Sequence, residues 1–361
     1  MNSNDKEHFL KGYVRELDGM RGLAIVAVML FHAGSPYARG GFIGVDIFFV
    51  LSGFLITALL IKEYDTTKHI SLKRFYLRRV LRLAPALVLL LLVLIALTII
   101  FLNASSIRYN AIDSVITLFY ATNWARALGV HPPNLLGHTW SLSIEEQFYI
   151  LWPLLLILLL RLIRSRGTIA AVVAGLALVS WGLRVLLALS GSSIDRLYNG
   201  LDTRVDTLLV GCALGVVLSS NLINEGLRKR LSRLLLFLTP VSALLLGYFF
   251  YALYWKSLHM YYWIYFVIEV LTAIIILDIF ISERSIVRRI LSFKVFVWVG
   301  SISYGLYLWH YPVYRVMMML KIQSQQVLIY GSIVTLVIAT LSYYLMERPI
   351  LKLKKRLQRA Q

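Results

Sequence analysis

Apolar runs of membrane-spanning length recur from one end of this 361-residue chain to the other. No other feature restricts its fold as much. The hydrocarbon core of a bilayer takes about 20 consecutive apolar residues as a helix, and every backbone polar group inside it must be satisfied within protein. Eleven runs can be drawn, over 20–36, 42–61, 83–103, 111–127, 144–161, 168–190, 205–220, 234–255, 262–282, 296–318 and 326–346. The expected fold is all-α, a polytopic integral membrane helical bundle read as one domain over 1–361. A chain that is 59% hydrophobic and only 15% charged agrees with it.

The run 111–127, AIDSVITLFYATNWARA, is the weakest, because it carries Asp113, Asn123, Trp124 and Arg126. It reads as interfacial or re-entrant, leaving about ten transmembrane helices. The basic residues support that count. With ten crossings, 28 of the 37 Lys and Arg fall on the side of the N-terminus, in 6–21, 62–82, 161–166, 228–233, 284–294 and 348–359. This positive-inside bias predicts both termini in the cytoplasm and a multi-pass protein of the cytoplasmic (inner) membrane. An eleventh crossing would invert every later loop and erase the asymmetry. The same distribution accounts for the net charge of +19 without a nucleic-acid partner. The N-terminus lacks the pattern of a cleaved signal, so the first helix is expected to be retained. The lone Cys212 excludes an internal disulfide.

Within this apolar background the polar residues stand out. Arg21 and His32 share the run LDGMRGLAIVAVMLFHAG. Eleven helical residues advance about 16 Å and return close to the same face. Ionisable groups in a membrane helix mark a functional site by default. The plain alternative for Arg21 is an interfacial anchor. His32 suits a general base that takes a proton from a hydroxyl. In GGFIGVDIFFVLSGFLIT, residues 40–57, Gly40, Gly41, Gly44 and Gly53 permit close helix approach. Asp46 is either a partner of Arg39 or a helix N-terminal charge, or else it orients His32 or a substrate.

Three further clusters follow. SLKRFYLRRVLRLAP presents Arg78, Arg79 and Arg82 on one helix face ended by Pro85. It reads as a positive-inside face touching anionic lipid, or as a site for a phosphorylated ligand. In the outer segment 131–156, Ser143 and Glu146 fit a capping box with Glu145 in the first turn. That account leaves His138, Trp140 and Ser141 unexplained, and two adjacent carboxylates also suit a protonated base or a hydroxylated substrate. SISYGLYLWHYPVY, with Trp309 and His310, is an interfacial aromatic belt or a sugar-stacking surface. Glu347 and Arg348 before Pro349 read as a helix stop followed by a basic tail. No P-loop, GxSxG, HExxH or paired CxxC occurs, so ATP-driven transport, serine hydrolysis by that route and a metal site lack support.

LDGMRGLAIVAVMLFH, GGFIGVDIFFVLSGFLIT, FYLRRVLRLAPAL, HTWSLSIEEQFYILWPLLL, NGLDTRVDTLLVGCALG, SYGLYLWHYPV and MERPILKL, in that order, resemble the acyltransferase-3 family of membrane acyltransferases, above all O-antigen and exopolysaccharide O-acetyltransferases. The resemblance covers about residues 15–355. It implies an O-acetyltransferase moving an acyl group, usually acetyl, from cytoplasmic acyl-CoA to a hydroxyl of a cell-envelope glycan. Acyl-CoA is then a co-substrate, and no cofactor is bound tightly. Arg21 and His32 match the family's Arg-x10-His signature, Arg79 and Arg82 its Arg-x-x-Arg motif for the CoA phosphates, with Arg78 beside them. Glu145 lies in the SxEEQ-like motif and Glu347 in the ERP-like motif. His32, Arg21 and Glu145 are the expected catalytic residues, with Asp46, Trp140, Ser141, Glu146, His310 and Glu347 in support. The expectation includes no fused SGNH hydrolase-like domain, so a second step outside would need a separate periplasmic or extracellular partner. The rival from another class is a transporter of glycans or lipid-linked saccharides, against which no inverted repeat is found. The acceptor, the acyl length, and covalent against direct transfer stay open at this point.

Overall fold

The computed structural model describes residues 13–101, 104–131, 134–220, 222–282 and 285–350. The polar N-terminal stretch to residue 12, the basic tail after residue 350, Pro132, Pro133 and Arg284 lie outside them. Every regular element among the described residues is helical. In chain order these are α1 (Arg15–His32), α2 (Gly44–Thr67, entered through a 3₁₀ turn at Gly41–Ile43), α3 (Leu72–Phe101), α4 (Ala104–Leu118) and α5 (Thr122–Ala127). Then come α6 (Trp140–Leu162, entered through a 3₁₀ turn at Gly137–Thr139), α7 (Arg166–Leu189), α8 (Ile194–Asn199), α9 (Val205–Ser219) and α10 (Glu225–Ala252). The last are α11 (Tyr265–Ile281, after a π turn at Met260–Ile264), α12 (Ile286–Leu291), α13 (Lys294–Ser301), α14 (Ser303–Met319) and α15 (Ser332–Ser342, between π turns at Val327–Gly331 and Tyr343–Glu347).

Among the described residues, seven segments are long and apolar enough to cross a membrane: Gly41–Thr67, Leu72–Phe101, Gly137–Leu162, Arg166–Leu189, Glu225–Ala252, Met260–Ile281 and Ser324–Ile350. The chain is therefore a multi-pass membrane protein. Three other expected runs fall on less regular helices. α1 opens with four charges, Arg15, Glu16, Asp18 and Arg21; α9 has 15 residues; and the run 296–318 is broken at Ile302 between α13 and α14. The run 111–127 is not one helix. It breaks between α4 and α5 at Tyr120, whose φ is 51°.

Small residues set the closest helix contacts. α9 lies along α2 and α7, and α13 along α1. A Cβ on Gly53 would stand 2.0 Å from the Leu208 carbonyl oxygen, and one on Gly211 would stand 2.1 Å from that of Val50. Neither contact is physically possible, so the α2–α9 crossing requires glycine from both helices, as the glycine pattern of residues 40–57 led us to expect for Gly53. Gly211→Ala is expected to force these helices apart and destabilise the fold by about 1–3 kcal/mol or more, the usual range for overpacking. Gly182→Ala, where nothing stands within 4 Å, is the neutral control. Thermal melts of the detergent-purified protein check this; equal melts for the two variants would contradict it.

Several local expectations are corrected. Pro85 does not end a helix but lies inside α3; neighbouring helices in an apolar setting tolerate one lost backbone bond. Ser143 does not cap α6. The helix begins at Trp140, with Thr139 at its N-cap, and the Ser143 hydroxyl donates back to the Thr139 carbonyl at 3.1 Å. Glu145 and Glu146 thus sit beyond the first turn. Pro349 does not stop the last helix among the described residues, which runs to Ile350. His310, Trp309 and Tyr307 are buried inside the bundle and do not form an interfacial belt.

Candidate functional site

Arg79 and Arg82, three residues apart on α3, share a helix face because i and i+3 side chains are neighbours. With Arg21 from α1 and Glu145 from α6 they line one open cavity, with about 650 Å³ of space when its mouth is included. Ser52, Ser141, Tyr149, Tyr304 and Tyr307 complete its polar wall. Arg79, Arg21 and Glu145 are held in place. The Arg79 guanidinium lies 3.3 Å above the centre of the Tyr149 ring and 3.8 Å from Glu146 Oε1. Arg21 donates to Asp18 at 3.0 Å. The Ser52 hydroxyl donates to Glu145 Oε1 at 2.8 Å, and Tyr304 donates to the Leu83 carbonyl at 2.8 Å. Three guanidinium groups and one carboxylate line the cavity, while Asp18 and Glu146 pair with Arg21 and Arg79 from beside it; planar guanidinium groups suit phosphate oxygens. Arg78 is not part of this wall; its Nε donates to the Arg74 carbonyl at 3.2 Å.

His32, at the far end of α1 from Arg21, does not line the cavity. It belongs to a second cluster. His32 Nδ1 lies 3.1 Å from His310 Nε2, and His310 Nδ1 lies 3.0 Å from the Leu306 carbonyl. His138 Nε2 reaches the Leu308 carbonyl at 3.1 Å. The Tyr311 ring stacks on His138 at 4.9 Å and meets His32 edge-on at 5.1 Å. Two cavity residues join the clusters. Tyr307 donates to the His138 carbonyl at 2.7 Å, and the Ser141 hydroxyl bonds the Tyr307 hydroxyl at 2.5 Å. Polar groups therefore step from the cavity wall, through Ser141 and Tyr307, to the His138 main chain beside the histidines. His138 and Tyr307 were not among the expected site residues, although both lie within the quoted motifs.

Asp46, Trp140 and Glu347 lie apart from the cavity wall. The partner of Asp46 is not Arg39 but Arg204, a buried ion pair. Arg204 also lies 3.9 Å over the Tyr265 ring and 5.9 Å from Trp140. Beside it Arg184 pairs with Asp206 at 2.5 Å and approaches Glu269 at 3.9 Å, while Thr207 donates to Glu269 at 2.9 Å. Arg184, Arg204, Asp206 and Glu269 are 0% exposed and Asp46 is 1% exposed. Sequence reasoning passed over Arg184, Arg204, Asp206 and Glu269, yet each interrupts or borders an apolar run, the signal that singled out Arg21 and His32. Glu347 accepts from Ser342 at 3.2 Å. Among the described residues no group of His, Cys, Asp and Glu has the geometry to hold a metal ion.

A family model described as an acyltransferase domain, that of the acyltransferase-3 family, matches residues 14–347. The chain belongs to this family. The acyltransferase-3 domain is 33% identical to the peptidoglycan O-acetyltransferase OatA of Listeria monocytogenes, over 95% of this chain and 57% of that protein. It is 34% identical to YrhL of Bacillus subtilis, provisionally named a peptidoglycan O-acetyltransferase, over 94% of this chain and 55% of the relative. It is also 34% identical to a provisionally named O-acetyltransferase of Staphylococcus aureus strain COL, over 94% and 58%. The chain thus spans little more than half the length of the curated relatives it matches. No solved structure matches it significantly.

Proposed function

We propose that this acyltransferase-3 domain transfers an acetyl group from cytoplasmic acetyl-CoA to a hydroxyl of a cell-envelope glycan, with peptidoglycan the favoured acceptor. In this reading ten spans cross the inner membrane and both termini are cytoplasmic. The names of the relatives support the acetyl group and the glycan. The observation that carries the reading is the cavity lined by Arg21, Arg79, Arg82 and Glu145, whose Ser141 and Tyr307 reach the His138 main chain in the cluster that holds His310 and His32.

The arginines hold the CoA phosphates through charge-assisted bonds. The pantetheine arm then carries the thioester along the cavity toward the histidines, about 16 Å from Arg21 along α1. His32 accepts the proton of the acceptor hydroxyl as its oxygen attacks the thioester carbonyl. A C–O bond forms, the C–S bond breaks, and the departing thiolate takes up the proton to give free CoA. Glu145, held by Ser52, offsets the cationic wall beside the reacting carbonyl. Holding donor and acceptor together supplies much of the rate.

Detergent-solubilised full-length protein given radiolabelled acetyl-CoA should move label onto peptidoglycan fragments; absence of both transfer and thioester consumption would sink the reading. Arg82→Ala is expected to raise KM for acetyl-CoA by about 10-fold or more, because a hydrogen bond to a charged group is worth about 1.5–3 kcal/mol. A KM equal to that of the unaltered protein would remove Arg82 from CoA binding.

A further inference from the structure

α14 carries an unusual pair of occupied main-chain carbonyls. Pro312 has no N–H, so the carbonyl four residues earlier, that of Leu308, loses its helical donor. His138 Nε2 from outside the helix takes that carbonyl at 3.1 Å. Two residues earlier in α14, the Leu306 carbonyl faces His310 Nδ1 at 3.0 Å. A carbonyl oxygen only accepts, so the facing ring nitrogens carry the protons. His310 Nδ1 is then the N–H of that ring, and with the ring neutral its Nε2 keeps the lone pair. At 3.1 Å from His32 Nδ1, that lone pair leaves His32 one arrangement: Nδ1–H donating, Nε2 bare.

We infer that His310 is a positioning residue that fixes His32 in the Nδ1–H tautomer and leaves Nε2 as its proton-accepting atom. The division of labour between the two rings follows from their surroundings. His310 is 0% exposed and both its nitrogens are engaged, so no substrate hydroxyl reaches it. His32 is half-buried, and besides His310 its ring N–H has the Val28 carbonyl, one turn back in α1, as an acceptor. The Tyr311 ring, edge-on to His32 and stacked on His138, limits rotation of the imidazole. As His32 takes the acceptor's proton on Nε2, Nδ1 keeps its proton and its bond to His310, so no second proton moves. The arrangement is that of a base oriented by a third group, with an imidazole and a helix carbonyl in the place a carboxylate takes in hydrolase triads. It rests on the functional reading above, in which His32 is the base.

The test uses the full-length protein in detergent with acetyl-CoA and peptidoglycan fragments, reading CoA thiol release and the ¹⁵N signals of the His32 ring. His310→Leu removes the side-chain acceptor facing Nδ1. It is expected to lower kcat by on the order of 10²-fold, within the range for a misdirected general base, with KM for acetyl-CoA unchanged. His310→Gln, whose side-chain carbonyl accepts from Nδ1–H, should recover most of that loss. The ¹⁵N spectrum should show a protonated Nδ1 and a bare Nε2 at His32 in the unaltered protein, and mixed tautomers in His310→Leu. A fully active His310→Leu, or a His32 ring protonated on Nε2 in the unaltered protein, overturns the inference. His32→Ala separates the two levels. If His32→Ala still turns over, the functional reading itself fails. If His32→Ala is inactive while His310→Leu is indistinguishable from the unaltered protein in rate and spectrum, only the role of His310 fails. Should no turnover be found, the tautomer spectra alone decide.

Discussion

His32→Ala is expected to reduce acetyl transfer by about 10²–10⁴-fold, the usual contribution of a positioned general base, while full-length protein still accumulates in the membrane. The site tolerates the change structurally. His32 is the last residue of α1 and only half-buried, and alanine is a good helix former. What is lost is the half-buried imidazole of the cluster; His138, whose Nδ1 is also unpaired, is 1% exposed. His310 does not take its place, because that ring is 0% exposed and its Nδ1 is held by the Leu306 carbonyl. The measurement is ester-linked acetate on envelope glycans, by mass spectrometry, in cells expressing either form at matched protein level. Unchanged acetylation would take His32 out of the mechanism.

Arg204→Met is expected to cost about 3–5 kcal/mol, the range for breaking a buried ion pair from one side. The guanidinium lies against Tyr265 and pairs with Asp46, and both charged side chains are at most 1% exposed. Removing it strands the Asp46 carboxylate in the bundle, where desolvation has no compensation. Replacing both partners with apolar residues, Asp46→Leu with Arg204→Met, should recover much of the loss, because no charge is then left alone. Thermal melts and size-exclusion profiles in detergent distinguish these outcomes. An Arg204→Met variant as stable as the unaltered protein would show that the pair carries no structural weight. The same experiment separates Asp46 from the acyl-transfer site: it holds the fold in register from α2 to the start of α9, and the cavity wall does not include it.

The all-helical character was legible because apolar length admits no other membrane-spanning solution for this composition. The glycine pattern of residues 40–57 also read correctly, since only a missing Cβ explains several glycines in an apolar helix. Helix starts and stops read poorly. Pro85, Pro349 and the pair Ser143 and Glu146 are boundary signals calibrated on helices whose ends meet water. Inside a bundle, neighbouring helices supply what the proline removes, and α6 starts where its 3₁₀ turn delivers the chain. The site was legible in part. Arg21, Arg79, Arg82, Glu145 and Ser141 do converge on one cavity, whereas Arg78, Asp46, Trp140 and Glu347 point elsewhere. His138 stood out but was given no role, and Tyr307 was hidden, because a residue so aromatic in an apolar run looks the same whether it faces lipid or a partner helix.

The sequence alone determined that this chain is a helical membrane protein, that it belongs with the acyltransferase-3 proteins, and which few polar residues deserve suspicion. Apolar run length and motif order are local properties, so they survive without knowledge of packing. Only the tertiary structure decided the pairings: His32 with His310 across 278 positions, Asp46 with Arg204 across 158, and Ser141 with Tyr307 across 166. Hydrogen bonds and ion pairs are made between atoms about 3 Å apart, and which side chains come that close depends on helix crossings that backbone contacts such as Gly53 on Leu208 set from a distance in sequence.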